Sequence, residues 1–216
     1  MPEKHYIKLD LDINLEPYSN ALLNRKVDNP YPKSQPIKRD ELLAIVPELK
    51  EFNNILISKG YIIYGSSTMV IEPGIFGGLH VDGDHSNGII HDLKLNIPIL
   101  NGPHVSTRWY DLSGLKYDKI NWEYNRSNFT AGDEWFFTNK DMLVNERCVS
   151  VLKLNCPTII NSGIPHNVDA TESKVPRSVL SMNILDLSTD YFTPWSNRQV
   201  VLDAVMEYSA NLSKTC

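Results

Sequence analysis

The chain has 216 residues, 42% hydrophobic and 22% charged, the balance of an ordinary globular protein, and at that length one domain buries a sizeable core without disulfide or metal staples. Its net charge of −5 leaves no overall electrostatic footprint for nucleic acid or an anionic membrane surface, although a local basic cleft stays open. The apolar runs, such as Leu42 to Val46, fall far short of a membrane span, and Met1 to Tyr6 lacks the apolar core of a signal peptide. Three cysteines, Cys148, Cys156 and Cys216, form no metal-type pair and fit a reducing compartment, so a cytoplasmic location is expected.

In chain order, residues 1–60 read as an irregular arm followed by helices. Pro30, Pro32 and Pro36 make 29–37 an extended, turn-rich link. From Asp40 onward, Leu42, Leu43, Ile45, Val46, Leu49, Phe52, Ile55 and Leu56 recur at helical spacing. Pro47 inside that pattern predicts a break and a fresh helix, and Gly60 predicts its end. The period then changes to two. Strands are predicted over 61–71, 78–82, 89–99, 105–112, 134–138, 148–155, 158–168 and 177–187. The stretch 113–145 reads as an insertion dense in rings, with Tyr117, Trp122, Tyr124, Phe129, Trp135, Phe136 and Phe137 around Arg126. Such a segment is either a lid that contacts substrate or a cover for a sheet face, and the strand pattern favours the cover for 135–137. Residues 197–212 predict a helix with Val200, Val201, Ala204, Val205 and Tyr208 on one face. About eight strands under one helical layer predict a mainly β domain with flanking helices: a double-stranded β-helix of jelly-roll or cupin-like kind over 61–187, then a C-terminal helix over 188–216. The whole of 1–216 is expected to be a single domain, without internal repeats.

The chemistry concentrates in His80-Val81-Asp82, Pro165-His166 and Arg177. Residues i and i+2 of a strand share a face, so His80 and Asp82 project together while Val81 turns away. Gly77, Gly78 and Gly83 flank the pair and let the backbone bend. His166 must come from another strand beside the first, and Pro165 suits a strand end. A turn over 169–174 would return the chain as a hairpin, bringing Arg177 back toward His166. Two histidines and a carboxylate are the ligand set of the facial triad that holds non-haem Fe(II) with coordination positions open. An arginine shortly after offers a grip for an anionic co-substrate.

This ordered set resembles that of the Fe(II)/2-oxoglutarate-dependent oxygenases, in which H-x-D/E is followed by a distal histidine and, roughly ten residues later, by an arginine or lysine for the far carboxylate of 2-oxoglutarate. The resemblance runs from about Tyr61 to about Leu187. It implies His80, Asp82 and His166 as metal ligands, Arg177 as the carboxylate anchor, and Fe(II) with 2-oxoglutarate as co-substrate. Tyr110 and Asn96, on strands near the motif, are further candidates to hold the co-substrate. Two features depart from the pattern. The gap between Asp82 and His166 is long, and Val179 stands where many members carry a serine. The implied activity is hydroxylation of a C–H bond in an amino-acid, peptide or other small substrate with O2.

Other readings of the same residues compete with this one. A calcium loop starting at Asp82 fails, because its sixth position is Asn87 and its twelfth Leu93. Zinc could take two histidines, an aspartate and water, but then Arg177 has no natural role. His85, His91 and His104 read as surface or supporting residues. A cupin-like barrel that binds a metal or ligand without turnover is the alternative to an enzyme.

Overall fold

A computed structural model describes residues 5–25, 34–84, 89–111, 134–136 and 145–215. The N-terminal part is more structured than an arm. It contains β1 (Tyr6–Lys8), α1 (Ser19–Leu23) and β2 (Ser34–Ile37). Between β1 and α1 the apolar residues Leu9, Leu11, Ile13 and Leu15 alternate with polar ones, and all four are buried in the main core. Helices α2 (Arg39–Ile45) and α3 (Pro47–Ser58) meet at Pro47. Proline is tolerated in the first turn of a helix but not in its interior, so the break falls where the sequence predicts it. Helix α3 ends as Gly60 turns to a φ of 84°, and the N–H of Lys59 donates to the carbonyl of Leu56.

The strands that follow are β3 (Tyr61–Ile71), β4 (His80–Asp84), β5 (Ile89–Ile90), β6 (Leu93–Leu100), β7 (Ser106–Tyr110), β8 (Glu134–Phe136), β9 (Cys148–Lys153), β10 (Thr158–Asn161), β11 (His166–Asp169), β12 (Arg177–Asp186) and β13 (Tyr191–Phe192); the chain closes with α4 (Gln199–Thr215). Among the described residues these strands form two antiparallel sheets. The larger runs β1-β10-β6-β12-β3-β2, with β13 beside β12. The smaller runs β5-β4-β11-β7-β9, with β8 beside β4. No helix among the described residues is long and apolar enough to cross a membrane.

Strand alternation gives the large sheet two different faces. Leu93, Leu95, Ile97, Ile159, Leu180, Met182 and Ile184 face the helices and join Phe52, Val201, Ala204, Val205 and Tyr208 in the main core. Each such side chain, fully buried, contributes about 1.5–3 kcal/mol. Phe52 and Tyr208 meet edge-on at 6.1 Å between α3 and α4. The intervening residues of β6 and β12, among them Lys94, Asn96, Arg177, Val179 and Ser181, lie on the other face. Val179 and Ile160 pack there with Trp109, Leu152 and Leu154 in a second, smaller core between the sheets.

Two expectations about the strands are corrected. The stretch 158–168 is not one strand: β10 belongs to the large sheet and β11 to the small one, and residues 162–165 cross between them. The crossing is locked in place. Ser162 N–H donates to the carbonyl of Asp92, a Cβ on Gly163 would collide with the Asp92 carboxylate, and Pro165 has no N–H for a ladder. The predicted strand 89–99 is interrupted at His91 and Asp92 by the same crossing. Second, β11 and β12 do not form a hairpin. β11 pairs with β4 and β7, whereas β12 pairs with β6, β3 and β13. The turn between them carries the chain back to the large sheet.

Candidate metal centre

The small sheet assembles the triad by register. His80 and His166 are direct cross-strand partners on β4 and β11, and Asp82 follows His80 by one strand repeat. The three side chains are buried, and one donor atom from each lies within 4.8 Å of the others. Asp82 Oδ1 is 3.5 Å from His80 Nε2 and 4.0 Å from His166 Nε2. Each imidazole is oriented from behind. His80 Nδ1 is 2.8 Å from the carbonyl of Gly78, and His166 Nδ1 is 2.9 Å from that of Ile164. A carbonyl can only accept, so both Nδ1 atoms carry a proton, and the neutral tautomer that this selects has its lone pair on Nε2. Two imidazole lone pairs and a carboxylate oxygen converging on one point are a donor set that fits a divalent ion.

The electrostatics favour the ligand forms of these groups. Burial and the neighbouring His80 push His166 down to about 4, against a partial pull upward from Asp82, so the imidazole is neutral at physiological pH. Burial alone would raise the Asp82 carboxyl. The Lys94 ammonium, with the two imidazoles, outweighs it and holds the carboxyl below the usual range. Lys94 Nζ sits 2.6 Å from Asp82 Oδ2, reaching from the large sheet to the small one. Sequence reasoning missed this lysine. Its signal is a lone cation alternating with Leu93 and Leu95 in a strand whose other phase is core, but a search for metal donors passes over a lysine.

Arg177 opens β12 on the face that carries Val179, toward the space between the sheets. It is 3% exposed, and its Nε and Nη1 have no hydrogen-bond partner among the described residues. Burial lowers it to about 10, which still leaves it charged at neutral pH. A buried cation with two unmatched N–H donors is costly unless an anion meets it. Asn96 lies on the same face of the large sheet as Lys94, and its buried Oδ1 likewise has no partner among the described residues. Tyr110, the other candidate to hold the co-substrate, points to a different face. Trp109, not Tyr110, is the cross-strand partner of His166, so Tyr110 takes the opposite face of β7. Its hydroxyl donates to Asn167 Oδ1 at 3.2 Å, near the Arg108–Asp169 ion pair of 2.7 Å. His91 is not a surface residue either. It is buried, its N–H donates to the carbonyl of Asp82, and its ring lies 4.1 Å from that of Phe192. His85 and most of the 113–145 insertion, including Trp122, Tyr124 and Arg126, lie outside the described residues. The part that is described, β8, pairs with β4 at His80, Val81 and Asp82.

No protein-family model and no curated protein matches the chain. Solved structures do. HygX from Streptomyces hygroscopicus with iron bound is similar over 83% of this chain and 81% of its own, at a TM-score of 0.50 and 9% identity. EctD from S. alaskensis with bound Fe is similar over 88% of this chain and 75% of its own, at a TM-score of 0.47 and 13% identity. ThoJ, a non-heme monooxygenase in its nickel complex, is similar over 97% of this chain and 94% of its own, at a TM-score of 0.46 and 9% identity. At such identities the likeness is one of fold. The chain shares the fold of HygX, and it carries its own His-Asp-His cluster.

Proposed function

We propose that this chain is an Fe(II)- and 2-oxoglutarate-dependent dioxygenase that hydroxylates a C–H bond of an amino-acid, peptide or other small substrate. The observation that carries the reading is the buried His80–Asp82–His166 cluster, with a buried Arg177, whose Nε and Nη1 have no hydrogen-bond partner among the described residues, on the sheet face that looks into the same interior. The likeness to the fold of HygX, which has iron bound, supports it. On this reading the two sheets are a double-stranded β-helix of jelly-roll, cupin-like kind within a single domain, working in the cytoplasm.

His80, Asp82 and His166 would hold the iron through Nε2, a carboxylate oxygen and Nε2. Bound there, iron would supply the redox chemistry that couples reduction of O2 and oxidative decarboxylation of 2-oxoglutarate to succinate and CO2 with insertion of the second oxygen atom into the substrate C–H bond. Arg177 pairs with the far carboxylate of 2-oxoglutarate through charge-assisted hydrogen bonds, a task suited to a planar fork of donors. Asn96 offers a second polar contact from the neighbouring strand. Trp109 keeps the interior dry beside His166: it is 1% exposed, its indole N–H donates to the carbonyl of Asn161, and its ring lies 6.1 Å from that of His166. β8, a described stretch of the 113–145 insertion, is hydrogen-bonded alongside the strand that carries His80 and Asp82.

The test is consumption of 2-oxoglutarate and formation of succinate by purified protein, with and without Fe(II), across a panel of amino acids and peptides. Slow Fe(II)-dependent turnover that a panel member stimulates is expected. Metal binding without any Fe(II)-dependent turnover would replace this reading with that of a non-catalytic, cupin-like binding barrel.

A further inference from the structure

We propose that Lys94 is a positioning residue for the metal-binding carboxylate, holding Asp82 by one oxygen so that only the other faces the two imidazoles. The inference rests on the reading that His80, Asp82 and His166 hold a divalent ion. The backbone of Asp82 is fixed on both sides: its N–H donates to the carbonyl of Ser162, and its carbonyl accepts from the N–H of His91. What the backbone leaves undetermined is the rotation of the carboxylate. Lys94 Nζ determines it by binding Oδ2 at 2.6 Å, while Oδ1 is the oxygen 3.5 Å and 4.0 Å from the two Nε2 atoms.

Lysine suits this task. A protonated ammonium has three donors and no lone pair, so it steers the carboxylate without competing for the ion. The pair is nearly enclosed, with side chains 17% and 10% exposed, so water competes little for Oδ2. Without Lys94 the carboxylate could swing to offer both oxygens and occupy a coordination position that the co-substrate or O2 needs. There is also a consequence for charge. The ammonium offsets the carboxylate, so a divalent ion here retains its full attraction for an anionic partner.

The experiment uses Co(II) alone as the probe, without 2-oxoglutarate or O2, and reads the dissociation constant together with the visible absorption envelope. Ligand-supporting residues of this kind change metal affinity about 10–100-fold, and Lys94→Met is expected to weaken Co(II) by at least about tenfold and to alter the spectrum. Lys94→Arg, which keeps a donating cation, should recover the wild-type envelope. Chemical denaturation of the metal-free variants checks that each is folded; should Lys94→Met not fold, Lys94→Gln gives the same comparison. In an Asp82→Asn background, Lys94→Met should add less than about twofold, because the lysine acts through that carboxylate. A Lys94→Met protein with wild-type Co(II) affinity and spectrum overturns the proposal, as does a tenfold loss that persists undiminished in the Asp82→Asn background. Protein that shows the expected pattern yet never consumes 2-oxoglutarate would retain this inference and lose the oxygenase reading.

Discussion

Replacing Arg177 with methionine should make the metal-loaded protein nearly blind to 2-oxoglutarate while making the metal-free protein more stable. Methionine keeps much of the side-chain volume and removes the charge. Two charge-assisted hydrogen bonds, from Nε and Nη1, are worth about 1.5–3 kcal/mol each, so their loss weakens 2-oxoglutarate by roughly 10²–10⁴-fold. Arg177→Lys keeps the charge but loses the fork, and should fall between the two. In the absence of co-substrate the sign reverses. Burial lowers Arg177 from its ordinary 12.5 to about 10, a penalty for the charged form of about 3 kcal/mol, because one unit corresponds to about 1.4 kcal/mol. Relief of that penalty should raise the melting temperature of metal-free Arg177→Met by up to roughly 6–12 °C for a chain of this size. Anaerobic calorimetric titration of 2-oxoglutarate into Co(II)-loaded protein and thermal melts of the metal-free protein read the two effects. Binding by Arg177→Met within about threefold of wild type would place the anchor elsewhere, and a lowered melting temperature would refute the argument from burial.

Removing a triad imidazole, in His80→Ala or His166→Ala, should abolish Co(II) binding in the micromolar range; affinity unchanged in both would remove the metal assignment. The metal-free protein should lose stability as pH falls from about 6.5 to about 4. The unfolded chain takes up a proton on this histidine near 6.5, whereas folded His166 resists until about 4, so the stabilisation is present above the window and lost by about 3 kcal/mol across it. Urea midpoints with chelator at pH 7 and pH 4.5 measure this, and His166→Gln should flatten the difference. Gly163→Ala should cost about 1–3 kcal/mol, since the new methyl meets the Asp92 carboxylate, and Asp92→Ala in the same chain should recover part of the loss in a denaturant double-mutant cycle.

The cluster of His80, Asp82 and His166 was legible because each member is announced by a short-range rule. H-x-D matches the two-residue repeat of a strand, and Pro165 marks the strand end from which His166 projects. The helical segments were legible for a similar reason, as shown by Pro47 and Gly60 punctuating α3. What escaped depends on pairing between distant segments. Nothing local to 158–168 says that its two halves join different sheets; the cause is the contact of residues 162–165 with His91 and Asp92. Lys94 is hidden in the same way, since its contact with Asp82 appears only when the large sheet is laid over the small one. The face of Tyr110 is hidden likewise, since it follows Trp109, the partner of His166, by one strand position, which suffices to send a side chain to the opposite face. In the N-terminal segment, 34–37 reads as part of a proline-bearing link, yet β2 is a strand at the end of the sheet's strand order, a position where Pro36 is tolerated.

The place of β12 in the large sheet has a consequence for biosynthesis. It lies between β6 and β3, strands made far earlier in the chain, and neither of those touches the other in the ladder. Until the ribosome has released residues 177–186, β3 has, among the described strands, β2 alone beside it and β6 has β10 alone, each with one open edge. At ordinary elongation rates of about 5–20 residues per second, this interval lasts on the order of ten seconds. The nascent chain therefore passes through a state with two unprotected templates for intermolecular strand pairing. The strand that begins with Arg177 closes both, so translation arrested before β12 yields an aggregation-prone product, and the buried guanidinium of Arg177 arrives with the strand that completes the sheet.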